Sequence, residues 1–115
     1  NEGPFYYLQS AKSKELAFVL INPYMFKSDF ILDVSKSDLN KIGIEKPEEA
    51  ESKILVFAIV TIPENSQDMT ANLLGPILIN VETRQGVQAL SLVEGYTTKH
   101  KILEELSRGS GQGGA

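Results

Sequence analysis

Chemistry in this chain would have to pass through a single imidazole. His100 is the only histidine among 115 residues, and there is no cysteine. Any Ser–His–Asp or Cys–His arrangement therefore needs His100. It lies in "TTKHK", between Lys99 and Lys101. Flanking cations do not orient an imidazole as a base, and no G-x-S-x-G turn occurs. His100 reads instead as an exposed side chain at the end of a strand or helix. Two carboxylate pairs, Glu48-Glu49 and Glu104-Glu105, fare no better. Adjacent helical residues point about 100° apart, so neither pair converges on one substrate.

Metal and phosphate chemistry are equally thin. "DVSKSD" echoes a calcium loop, but Asp33 and Asp38 break the alternating spacing and the closing Glu is missing. Asp33 and Ser35 read as cap residues. No thiolate site is possible and no metal site is expected. The glycines cluster only in the terminal "RGSGQGGA", with no helix after them, so no phosphate loop is expected either. We expect no cofactor.

The elements that would position any site are mostly strands. "FYYLQS" is aromatic and β-favouring, and "LAFVLIN" is a continuous apolar run that Asn22 and Pro23 stop. A short strand is expected at residues 30–34. Ser35 caps a short helix with Gly43 as its stop, and Pro47 opens a further helical turn. "SKILVFAIVTIP" is the strongest strand pattern. In "VETRQG" a tight turn is expected, with Gly86 adopting positive φ. "VQALSL" alternates as a half-buried strand, and residues 101–106 suit a short amphipathic helix.

"TANLLGPILIN" carries a Gly-Pro pair inside a strand pattern. Gly75 permits a sharp bend, and Pro76 needs a position with no ladder donor. Residues 70–74 and 77–80 are each expected to pair, with a break at Gly75-Pro76. Asn22 and Asn80 read as turn residues. Asn72 is open at this point: buried, its amide needs internal partners; exposed, it is available to another protein.

Hairpin-length turns between these strands predict a mainly β fold. It would be a small antiparallel β-barrel-like domain with one or two short helices. One domain over residues 1–106 and a flexible Gly/Ser-rich tail over 107–115 follow from composition. The net charge of −4 argues against nucleic acid as a partner and suits a basic protein instead. No apolar run reaches the roughly 20 residues that cross a bilayer, so no membrane partner is expected.

Four ordered blocks, "PFYYLQS", "ELAFVLINPYMF", "MTANLLGPILIN" and "YTTKHKIL", together resemble the flagellar assembly factor FliW family. The odd spacing of Asn72, Gly75 and Pro76 is the most specific marker. The resemblance implies a non-enzymatic, cytoplasmic β-barrel-like protein that binds flagellin. It also implies binding to the translational regulator CsrA, whose repression of flagellin messenger RNA such proteins relieve. Among family-matching positions, Tyr24, Asn72, Thr98, Lys99 and His100 are the candidate partner contacts. Asn22, Pro23, Gly75, Pro76, Asn80 and Gly86 are the candidate turn and bulge residues. The family carries early strands before "PFYYLQS" that do not occur here, so the chain reads as a piece of a longer protein. A barrel without them would present an edge and an apolar face. The alternatives are a small nucleic-acid-binding barrel and an enzyme with an unrecognised pocket.

Overall fold

A computed structural model describes residues 4–9 and 17–114. Residues 1–3, 10–16 and 115 lie outside them. The strands are β1 (Phe5–Gln9), β2 (Ala17–Ile21), β3 (Ile54–Thr61), β4 (Thr70–Ala71), β5 (Ile77–Asn80), β6 (Gly86–Gln88) and β7 (His100–Lys101). The helices are α1 (Lys36–Asn40), α2 (Ala50–Lys53) and α3 (Ile102–Gly114), with 3-10 turns at Pro23–Met25, Pro47–Glu49 and Ser66–Asp68. Every strand pairing is antiparallel.

The eight-residue β3 organises the sheet. Residues 58–60 of β3 pair with β2, which pairs in turn with β1. On the other side, Val60 and Thr61 pair with β4, while residues 54–57 pair with β5. One chain segment thus serves two halves of one strand. Ala71 faces Val60 and Ile77 faces Phe57, so residues 72–76 stand opposite only residues 58 and 59. This is the expected break. It starts earlier than Gly75, because β4 ends at Ala71. Leu73 and Leu74 leave the ladder, and both of their N–H groups donate to the Thr97 carbonyl.

The same loop explains the Gly-Pro pair. Pro76 has no donor to lose, and its carbonyl accepts the Ala89 N–H at 2.8 Å. A Cβ on Gly75 would come within 2.9 Å of the Gln88 amide nitrogen. That amide donates to the Gly75 carbonyl at 3.1 Å. Gly75 is therefore small because Gln88 closes over it.

Two apolar clusters fill the inner side of the sheet. One includes Ile21, Phe26, Phe30, Val60, Leu73 and Ile102; the other centres on Leu39, Ile42, Ile44 and Leu78. The second cluster depends on how α1 ends. Ser35 Oγ accepts the Asp38 N–H at its start. At its end, Gly43 has φ 81°, Ile44 N–H donates to the Leu39 carbonyl and Gly43 N–H to that of Asn40. This is the glycine-terminated motif expected there, and it presses Ile44 onto Leu39 in the core.

Three expectations need correction. Residues 30–34 form no strand: the segment is extended but lies outside the ladder, and its Asp33 carbonyl accepts from Leu92 N–H at 2.7 Å. "VQALSL" is strand only to Gln88, because Ala89 and Ser91 donate to the carbonyls of Pro76 and Leu74 in the loop. Gly86 does not take positive φ. It sits in β6 opposite Ile79, and Arg84 holds the left-handed conformation at φ 63°. The turn closes through Asn80 N–H to Gln85 O and Arg84 N–H to Asn80 O, which puts the reversal two residues earlier. The sheet is also not closed, with β1, β6 and β7 as separate ends of the pairing order. The helix expected at residues 101–106 starts at Ile102 and runs to Gly114, through residues 107–114 where a flexible tail was expected.

Candidate functional site

Strand pairing decides which apolar residues lie on the outer side of the sheet. Tyr6 faces Leu20, which faces Ile59; Leu8 faces Phe18; Phe57 faces Ile77; Leu55 faces Ile79. Directly opposite residues share a face, so all nine belong to one side. The Tyr6 ring meets the Phe57 ring edge-on at 5.2 Å. Part of this side is uncovered: Leu55 is 49% exposed, and Tyr6 and Leu8 42% each, while Leu20 at its centre is buried. The sheet curls around it. Leu8 of β1 lines a concavity of about 370 Å³ together with Ile77 and Ile79 of β5 and Gly86 and Gln88 of β6. β1 on one side, and the paired β5 and β6 on the other, thus form the walls of a largely apolar groove.

The candidate contacts do not converge on that groove. Tyr24 is 46% exposed and meets Phe30 edge-on at 5.2 Å. Its position is set by Asn22, whose Oδ1 accepts the Tyr24 N–H at 2.9 Å, and by the buried Pro23. Phe30 stacks on Tyr96 at 5.5 Å, and the Tyr96 hydroxyl accepts the Ile31 N–H at 2.9 Å. Lys27 Nζ lies 6.0 Å from the centre of the Tyr96 ring. It also lies 2.9 Å from Asp29 and 3.8 Å from Glu105. Glu105 in turn holds His100, at 2.8 Å, and Arg108, at 3.5 Å. Tyr24 and His100 are therefore the two ends of one aromatic–ionic seam.

His100 departs from the exposed residue expected of it. Its side chain is 22% exposed, packs against Phe26 and is fixed by Glu105. Among the described residues no hydroxyl hydrogen-bonds to the imidazole, so the pair lacks a nucleophile. Glu105 is shared among Lys27, His100 and Arg108, which makes it an anchor for α3. No group of three metal-ligating side chains occurs among the described residues. Thr98 and Lys99 are exposed in the turn before β7.

Asn72 and Asn80 are both committed to backbone groups of their own loops. Asn72 Oδ1 accepts the Gly75 N–H at 2.7 Å. Asn80 is 2% exposed; its Nδ2 donates to the Ile42 carbonyl, and its Oδ1 accepts from the N–H of Glu82 and Thr83. Both are turn chemistry, as expected for Asn80.

Charge shifts follow the seam. Burial pushes the Tyr24 phenol above its usual range, and the nearby Tyr96 and Glu51 act in the same direction. Burial opposes the charge on Lys27, but the Asp29 hydrogen bond and the Glu105 carboxylate outweigh it, and its pKa is raised. The Lys27 hydrogen bond holds the Asp29 carboxyl below its usual range. Lys27 and Tyr96 escaped the sequence reading, and Glu105 entered it only as half of a carboxylate pair. The only available signal was Glu105 five residues after His100, a spacing no single helix face explains.

Comparison with known proteins places these features in a family. The FliW protein family model matches residues 1–102. The chain is 42% identical over 108 residues to the flagellar assembly factor FliW of Alkaliphilus metalliredigens, covering 94% of this chain and 64% of that protein. It is 40% identical to the flagellar assembly factor FliW of Treponema denticola, covering 93% and 70%. A crystal structure of the flagellar assembly factor FliW superposes with a TM-score of 0.76 at 33% identity, covering 86% of this chain and 67% of that one. The chain thus spans about two thirds of the length of the relatives it matches. It belongs to the FliW family of flagellar assembly factors.

Proposed function

We propose that this chain works by binding proteins and not by catalysis, as an antagonist of CsrA that also binds flagellin. Free of flagellin, it captures CsrA and flagellin translation proceeds. When flagellin accumulates it occupies this protein, and CsrA represses again. The reading places the protein in the cytoplasm, with no direct contact to nucleic acid or membrane. In support, no helix among the described residues is long and apolar enough to cross a membrane.

The observation that carries the reading is membership of the FliW family over residues 1–102. The surface supports it: the apolar groove and exposed aromatic positions suit a binding module. The single histidine is committed to Glu105, away from any nucleophile. A net charge of −4 complements a basic RNA-binding partner.

Titration of the purified chain with CsrA and, separately, with flagellin tests this by calorimetry. A saturable complex with each is expected. Association with CsrA should slow as salt rises, because exposed charges more than about 10 Å apart are screened at 0.1 M. Absence of a complex with both proteins overturns the reading.

A further inference from the structure

The inner side of the sheet carries a second concavity, separate from the groove. This cleft holds about 520 Å³ and is lined by Tyr24, Leu32, Ala50, Glu51, Ile54 and Val56, among others. It exists because β2 stops. Asn22 and Pro23 turn the chain away after Ile21, so β2 pairs only with residues 58–60 of β3. No described strand continues along that side of residues 54–57, whose other side is taken by β5. Leu32 and Val56 pack against both core clusters, so the cleft opens where the two clusters meet.

Its walls are apolar and its surroundings are negative. Residues 45–51 hold Glu45, Glu48, Glu49 and Glu51 against one cation, Lys46. Lys53 is already held by Glu49 and Glu82, at 3.6 Å each. Among the described residues no cation pairs with Glu51. Tyr24 is fixed by its own cap and by Phe30, and part of its ring stays exposed.

We propose that this cleft is a docking pocket for a protein segment that presents an aliphatic side chain flanked by Lys or Arg. This rests on the protein-binding reading above. The aliphatic group covers Leu32, Ile54 and Val56, which are half-buried and line the cleft. The cation pairs with Glu51 and lies near the Tyr24 ring, where it gains a cation–π contact. A wholly apolar segment would desolvate Glu51 without a partner. A wholly basic one would leave the aliphatic walls wet. Only the mixed chemistry satisfies both.

The test maps short peptides onto the full chain by amide chemical shifts. Three probes are used: a lysine peptide with a central leucine, the same peptide with glycine in place of leucine, and one with glutamates in place of lysines. The first should shift Ala50, Glu51, Ile54 and Val56 in a saturable manner. Either change to the peptide should weaken binding roughly tenfold or more. Glu51→Lys should do the same, and Glu51→Gln should fall between. Shifts confined to Leu8, Ile77 and Ile79, or none at all, overturn the pocket. If CsrA or flagellin binds while the cleft stays silent to the peptide, the pocket fails and the protein-binding reading stands. If the peptide fills the cleft and neither protein binds, the reading fails and the pocket stands.

Discussion

Asn72 Oδ1 accepts the N–H of Gly75 at 2.7 Å, and this bond closes the loop that lets one segment pair with both halves of β3. The family marker in the sequence is therefore a folding device. Asn72→Ala should cost about 1–2 kcal/mol, because it orphans a buried donor. Asn72→Asp keeps the acceptor and should cost less. Urea midpoints of the two variants decide it; equal midpoints would mean the loop closes without this bond.

Asn80 joins the β5–β6 turn to the loop after α1. Its Nδ2 donates to Ile42 O and its Oδ1 serves two backbone donors, all in a side chain 2% exposed. Asn80→Ala leaves these groups unsatisfied and should lose about 2–4 kcal/mol. Asn80→Asp should also be destabilising, since a carboxylate cannot donate to a carbonyl. Thermal melts that match wild type for both variants would contradict this.

Arg84 carries φ 63° in that same turn, a conformation L side chains avoid. Arg84→Gly should raise stability by about 0.5–1 kcal/mol, the relief of strain exceeding the added freedom of the unfolded chain. A lower melting temperature for this variant would show that the Arg84 side chain contributes more than its backbone costs.

Glu105 contacts Lys27, His100 and Arg108 and ties α3 to the Lys27 loop and to β7. Glu105→Gln keeps the shape and removes the charge. It should cost about 1–2 kcal/mol, more than an exposed pair, because its side chain is only 12% exposed. Amide exchange should quicken first at Leu103 and Glu104. Uniform exchange across the chain would instead point to global destabilisation.

Stability should fall on the alkaline side. Tyr24 and Lys27 both have folded pKa values above their ordinary 10.0 and 10.5. A raised folded pKa means the native state binds its proton more tightly. That contribution is complete below the ordinary value and is lost as pH rises through the folded one. Denaturant midpoints should therefore drop above about pH 10. Tyr24→Phe should flatten part of the drop. On the acid side, Asp29 has a lowered pKa, so its contribution is present above the ordinary 3.8 and disappears as pH falls below it.

Much of the fold was legible because it rests on local chemistry. Pro23 had to end a strand and Ser35 had to cap a helix. Gly43 stopped α1, and Gly75-Pro76 marked a break. The misreadings share one cause. Residues 30–34 carry a strand pattern, but their place in space is beside Leu92 and not beside a free strand edge. Gly86 looked like the turn residue because glycine tolerates positive φ, yet Asn80 fixes the turn so that Arg84 must take it. Propensity states what a residue permits; long-range partners choose among the permitted states.

The sequence by itself determined the class of fold, the bend at Gly75-Pro76, the poverty of catalytic groups and the family resemblance. Each of these follows from residue type and short spacing. Tertiary structure alone decided that Asn72 closes its own loop and that Tyr24 and His100 end one seam through Phe30, Tyr96, Lys27 and Glu105. It alone made the cleft beside Glu51. Those relationships join residues 24, 51 and 96, far apart along the chain, and only the packing of β3 against its turns brings them together.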